Sequence, residues 1–202
     1  MATDAKEICQ LALGNLGETR ELTSLGEQSK EAKACSRWYP TARDIVLRAY
    51  PWPFARRIAS LVLAPTESNI RWQYMYDLPS DFLKERYLHN PLGRNAYPPI
   101  PFAIERSAAD MKNLLGCDQP VATLVYTRAL ATDNLVPLIP APVVDALSWK
   151  LAARLVPALA LKPEQAIAAE KMYRLLVSEA YADAMTEPME PLPDSEFITV
   201  RG

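Results

Sequence analysis

Apolar positions near the start of the chain recur with a helical period. Asp4 and Glu7 stand at the spacing of a helix-start capping pair. Ile8, Leu11, Ala12 and Leu16 then share one helical face. Gly14 and Gly17 weaken this helix, and Gly17 is expected to close it. After a turn around Gly26, a longer helix is predicted over 29–49. There Ala32, Cys35, Tyr39, Ala42, Val46 and Ala49 recur every three or four positions, while Lys30, Lys33, Arg37 and Arg43 fall largely elsewhere. Pro51 ends it, because the residue before a proline is pushed out of helical geometry.

Between residues 60 and 128 the pattern shortens. The runs LVLA (61–64), WQYMY (72–76), FLKERYL (82–88), FAIE (102–105) and ATLVYT (122–127) are often rich in β-branched or aromatic residues. Pro65, Pro79-Ser80-Asp81 and Asn90-Pro91-Leu92-Gly93 separate them as turns. They predict a small, mostly antiparallel sheet or an open barrel, although ERYL fits a helix equally well. Helical spacing returns near Pro142. Val144, Leu147, Leu151 and Leu155 form a stripe with Trp149 and Lys150 off it, and Pro157 is expected to kink or end the helix. Lys162-Pro163-Glu164 has the form of a helix start with proline first. Ala169, Tyr173, Leu176, Ala180 and Ala184 continue the second member of the pair.

The last stretch, TEPMEPLPDSEFITVRG, holds three prolines and four acids. It cannot bury much of itself and is expected to be extended and poorly ordered in isolation. It ends in the apolar Phe197, Ile198 and Val200, which a purely solvating tail does not need. The expectation is therefore an α+β fold. An N-terminal helical hairpin (1–59) and a C-terminal one (132–186) form an antiparallel bundle around an inserted, small antiparallel β domain (60–131), with an extended docking tail (187–202).

Composition narrows the function more than it identifies it. The 202 residues are 50% apolar and 23% charged, with a net charge of −2. Such a chain can build a sizeable core without staples. It lacks the basic excess of a general nucleic-acid binder. Cys9, Cys35 and Cys117 form no CxxC pair and suggest buried, reduced thiols rather than a disulfide framework or zinc ribbon. No apolar run approaches the roughly 18 residues of a membrane span, and no membrane partner is expected.

The chemistry-bearing residues are sparse. His89 is the sole histidine. A Ser80, His89, Asp81 triad can be written, but Ser80 and Asp81 belong to a turn signal, and no nucleophile elbow supports it. Gly14-x-x-Gly17 lacks the ending of a phosphate loop. The paired acids Asp77 and Asp81, or Asp194 and Glu196, have nothing in the sequence to bring them to a shared dry site. No catalytic residue, cofactor or metal is expected. Arg37-Trp38-Tyr39, Trp52, Phe54, Arg56-Arg57 and Arg71-Trp72 could stack bases, but these residue types are equally those of cores and protein interfaces. The acidic balance favours the latter.

Four stretches taken in order resemble the head-to-tail adaptor proteins of short-tailed bacteriophages, the tail tubular protein A-like family. The first is EICQLALGNLGE (7–18) with LTSLGEQSKEAKACSRWYPTARDIVLRAYPWPFARR (22–57), which matches a "RD.VLR..PW.FA" helix ending. The second is WQYMYDLPSDFLKERYL (72–88), an aromatic strand followed by "LP.D.L". The third is the helical pair with AL…KLAARL (146–155) and Tyr173, and the fourth is the terminal SEFITVRG.

The resemblance implies a structural virion protein of the tail or neck, assembled in the host cytoplasm, and not an enzyme. Such adaptors form a ring, commonly of twelve copies, between the portal and the tail nozzle, with tail fibres near by. DNA passes through the centre without specific binding. Pro51, Trp52, Pro53 and Phe54 would form a stiff corner between bundle and β insertion. Arg43, Asp44, Arg48, Arg56 and Arg57 would lie at a subunit border, where guanidinium groups pair with a neighbour's carboxylates. Phe197, Ile198, Val200 and Arg201 would carry the docking tail onto the portal or a neighbouring subunit. The alternatives are a head-completion or connector protein of a long-tailed phage, and a tail-associated hydrolase.

Overall fold

The computed structural model describes residues 4–64, 71–90, 99–107, 111–130, 136 and 138–186. The expected tail, with Phe197, Ile198, Val200 and Arg201, lies outside the described residues.

Helix α1 (Ala5–Asn15) starts where the capping pair predicts, with Asp4 Oδ1 accepting from the Glu7 amide at 2.8 Å. It ends because Gly17 turns left-handed at φ 81°, so that the Gly17 and Glu18 amides return to Gly14 and Leu13 carbonyls. Helix α2 (Lys30–Ala49) begins at Ser29, whose hydroxyl accepts from the Ala32 amide at 3.2 Å. Pro40 lies inside α2 without ending it. Both Pro40 and Ser36, the residue four back whose carbonyl loses its partner, are exposed, so water can satisfy that carbonyl.

Helix α3 (Ala141–Leu159) and helix α4 (Pro163–Thr186) form the second hairpin. Pro157 ends α3 only two residues later. The turn closes at Ala160, left-handed at φ 61°, as the Leu161 amide returns to the Val156 carbonyl at 3.0 Å. The four helices do not form a symmetric square. Helix α3 is the hub and packs on α1, α2 and α4. Its buried positions include Val143, Ala146, Leu147, Lys150, Leu151, Leu155 and Val156, which surround the helix rather than line one side. Polar ties run between distant segments: Asn15 Nδ2 donates to Ser148 Oγ at 2.8 Å, and Lys30 Nζ to the Leu159 carbonyl at 2.9 Å.

Between the hairpins lie two small antiparallel sheets, where one sheet or an open barrel was expected. The first orders β1 (Arg56–Ser60), β7 (Thr123–Arg128) and β4 (Phe82–Leu88). The second orders β2 (Val62–Leu63), β3 (Tyr74–Asp77), β6 (Asn113–Cys117) and β5 (Phe102–Arg106). The ambiguous ERYL segment is strand. Strands β1 and β6 have no counterpart in the sequence-based expectation. The first is mostly exposed, so its alternation is faint; the second, NLLGC, is buried at four consecutive positions and shows no alternation at all. Tyr76, Leu88, Leu115, Cys117, Leu124 and Tyr126 from the two sheets share one core. At Gly116 the Trp72 indole lies across the strand, and a Cβ there would come within 3.0 Å of the ring.

The left-handed alanine gives a direct stability test. An L side chain at φ 61° is strained, and glycine is not. Ala160→Gly is expected to raise unfolding free energy by about 0.5–1 kcal/mol, read as a higher urea midpoint with unchanged slope; a lower midpoint would contradict the assigned helix end.

Candidate functional site

The corner between α2 and β1 is where the helical and β parts are tied together. Tyr50 leaves the helix in extended geometry, at φ −137° and ψ 160°, and a 3-10 turn over Pro53–Ala55 leads into β1. Trp52 is fully buried, and its Nε1 donates to the Val46 carbonyl at 2.8 Å. Its ring meets Tyr50 at 5.6 Å, Phe54 at 5.9 Å and Tyr181 of α4 at 6.1 Å. Tyr50 and Tyr181 stack at 4.3 Å. From the sheet side, Arg86 of β4 donates Nη2 to the Trp52 carbonyl at 2.6 Å and Nε to Thr127 Oγ1 at 3.0 Å. The corner thus binds α2, α4, β4 and β7 through one indole and one peptide carbonyl. Pro53, Phe54, Val143, Ala180, Asp183 and Ala184 border a shallow groove of about 110 Å³ beside it.

The five residues expected at a subunit border occupy different settings. Arg43 is buried: its guanidinium pairs with Asp44 at 2.9 Å and lies over the Tyr39 ring at 5.8 Å. Arg48 is exposed and donates to the Leu83 carbonyl at 2.6 Å, joining the end of α2 to β4. Arg57, also exposed, is taken by Asp81 of its own chain at 2.6 Å. Arg56 is exposed and has no ion pair or side-chain hydrogen bond among the described residues.

Asp81 is the anchor of the LPSD turn. Its two carboxylate oxygens accept from Arg57 and from the Tyr126 hydroxyl, at 2.6 and 2.7 Å. Its carbonyl receives the Ala129 amide at 2.7 Å. Burial alone would push the Asp81 carboxyl up. The hydrogen bonds from Tyr126 and Arg57 outweigh it and hold the group below the usual carboxylate range. Burial, followed by the bond to Asp81, pushes the Tyr126 phenol up to about 12. This geometry accounts for the aspartate structurally. His89 lies exposed just past the far end of β4, while Asp81 just precedes the same strand. A seven-residue strand separates them by roughly 20 Å, so the written triad does not form. Asp77 is exposed on β3, and Asp194 and Glu196 lie outside the described residues. Trp38 is flanked by Arg37 and Arg154, at 5.6 and 5.9 Å, and Trp72 donates to Glu105 Oε1 at 3.0 Å. All three cysteines are buried and free. Among the described residues no helix is long and apolar enough to cross a membrane.

One tertiary pair escaped the sequence reading. Lys150, placed off the apolar stripe, is buried between α3 and α4 and meets both oxygens of Glu170, at 2.9 and 2.8 Å, with Nζ 4.5 Å from the Tyr173 ring. The available signal is that α3 is apolar over most of its circumference, with the exposed charges Asp145 and Arg154 confined to the remainder.

No protein-family model matches the sequence, and no curated protein matches it significantly.

Two outcomes follow from this geometry. Trp52→Ala should cost about 3–5 kcal/mol of stability, the range for removing a large buried aromatic, measured by urea unfolding. The second concerns acid. Asp81 has a lowered folded pKa, so its contribution is present above the unfolded value near 3.9 and is lost as pH falls through the folded one. The stability advantage of the native chain over Asp81→Asn should therefore be full at pH 7 and shrink on acidification below about pH 4. An advantage independent of pH would remove the carboxylate clamp.

Proposed function

We propose that this chain is a structural subunit of a head-to-tail adaptor ring, joining a phage portal to the tail nozzle and enclosing part of the DNA channel. The observation that carries the reading is where the resembling stretches fall. RDIVLRAYPWPFARR covers the end of α2, the buried Trp52 corner and the start of β1. LPSDFL covers the turn that Asp81 pins to β1 and β7. Two of the four resembling stretches thus fall on the corner between bundle and β part and on the turn that pins the first sheet.

Mechanically this suits a ring wall. A subunit that transmits load between two partners needs its parts fixed to each other, and prolines at 51 and 53 remove backbone freedom where the chain changes layers. Rings require a heterologous contact, one face meeting a different face of the next copy. The exposed guanidinium of Arg56 is available for such a border. In this reading the ring holds about twelve copies, residues 187–202 dock on the portal or a neighbour, and the protein resides in the virion neck after assembly in the host cytoplasm. No observation favours the long-tailed connector or the hydrolase.

The test is imaging of the protein mixed with its portal. A ring stacked coaxially on the portal is the expected particle; separate particles at every ratio would overturn the proposal. Removal of residues 188–202 should leave the melting curve of the subunit nearly unchanged while abolishing attachment to the portal.

A further inference from the structure

Among the described residues α4 is the longest helix, and α3 is its main packing partner. Its inward side, with Ala169, Tyr173, Val177 and Ala180, is buried. The opposite side is not simply polar. Leu175 is 52% exposed and Ile167 72%, and Ala168, Met172 and Ala182 are exposed with them. At 3.6 residues per turn, Leu175 points directly away from the buried Tyr173 and Val177. Ala168 and Ala182 stand seven positions to either side of Leu175, so the three fall nearly on one line along the helix. Lys171 and Glu179 flank that line, about one turn before and one turn after Leu175, and both are exposed. A row of apolar and small side chains bordered by charges is what one helix offers to another.

The order of residues along this row says what fits it. Reading outward from Leu175, an alanine is matched by an alanine and Lys171 by Glu179. Reversing the row therefore keeps the small residues in place and exchanges the charges. Such a row complements itself when two copies lie antiparallel about Leu175. Ala168 of one copy then meets Ala182 of the other, and Lys171 of each meets Glu179 of the other, twice over. A parallel pair would instead set lysine against lysine and glutamate against glutamate. Among the described residues neither Lys171 nor Glu179 is in an ion pair, whereas Arg174 is taken by Glu170 of its own helix at 3.7 Å. The alanines at both ends of the seam allow the helix axes to approach to about 8 Å. From Ala168 to Ala182 the seam is about 21 Å long. A nucleic acid is disfavoured there, because the row presents Glu164 and Glu179 against a single lysine.

We propose that the free chain pairs with a second copy of itself through the outer side of α4. The two helices run antiparallel, with Leu175 of both copies at the two-fold axis and Lys171 of each against Glu179 of the other. The contact is isologous, so it closes at two copies and is distinct from the head-to-tail border that a ring requires. It rests on α4 alone and does not depend on the adaptor reading. One helix pair makes a narrow interface, at the small end of specific contacts, which sets the dissociation constant at roughly 10–100 µM.

The experiment is analytical ultracentrifugation of the full-length chain, with no other protein present, over roughly 1–300 µM. The mass should rise with concentration from the 22.5 kDa of one chain towards twice that value. Lys171→Glu alone, or Glu179→Lys alone, sets like charges across both ends of the seam and should weaken pairing at least about tenfold. The chain carrying both changes should pair as the native one does. A mixture of the two single variants should also recover native affinity, because each then supplies the charge that the other lacks. Leu175→Glu should abolish pairing while its melting curve at low concentration matches that of the native chain, since the position is exposed. A chain that stays monomeric over the whole range overturns the proposal. So does a dimer indifferent to Leu175→Glu, or a double variant and a mixture that both fail to pair. Cosedimentation with phosphatidylcholine–phosphatidylserine vesicles that Leu175→Glu abolishes would give the face to a lipid surface and overturn it as well.

Discussion

Burial of the Trp52 ring, with its carbonyl held by Arg86, is the constraint on which the arrangement of this protein depends. A helical bundle and a pair of small sheets each have a core of their own, and two such units would ordinarily be free to reorient. Here the chain passes from α2 to β1 in a few residues, two of them prolines. The indole is fixed inside the helical core while its peptide oxygen is gripped from the sheet. Because the buried ring and the bonded carbonyl belong to one residue, neither layer can rotate without breaking a buried contact. Arg48 and Lys84 repeat the tie by exchanging side-chain bonds with each other's strand or helix backbone.

Helix α3 plays the matching part inside the bundle. With buried residues on most of its circumference it keeps only a few exposed positions, among them Pro142, Asp145, Arg154 and Pro157, and the other helices arrange themselves around it. That position explains why a lysine can be buried. Glu170 and the Tyr173 ring of α4 replace the water that Lys150 gives up, and the carboxylate meets the ammonium with both oxygens. Breaking such a pair from one side leaves a buried charge uncompensated, whereas removing both partners need not be costly. The pair therefore speaks for the register of α3 against α4 more than for net stability.

Charge is distributed unevenly over the same framework. Near the corner the sheet presents arginines and a lysine whose bonds end on neutral atoms, while residues 179–196 hold six of the chain's 24 acids and no lysine or arginine. The Asp81 clamp keeps the neighbouring Arg57 out of that inventory by neutralising it within the chain.

The sequence by itself determined the helices, their starts and stops, and the α+β class. Asp4, Ser29, Gly17 and Pro163 act on backbone groups within a few residues of themselves, so their effect is readable from local spacing. The strands with alternating or aromatic patterns were legible for the same reason. Strand β6 was not, because a strand covered on both faces has no period, and Gly116 inside it is explained only by the Trp72 ring lying across it. Tertiary structure alone decided that the β part divides into two sheets, that α3 is the hub, and that Lys150 is buried. It also decided that Asp81 is a clamp with Arg57 and Tyr126 rather than a partner for His89. Each of these depends on residues tens of positions apart meeting in space, and side-chain periodicity carries no information about which distant face arrives opposite.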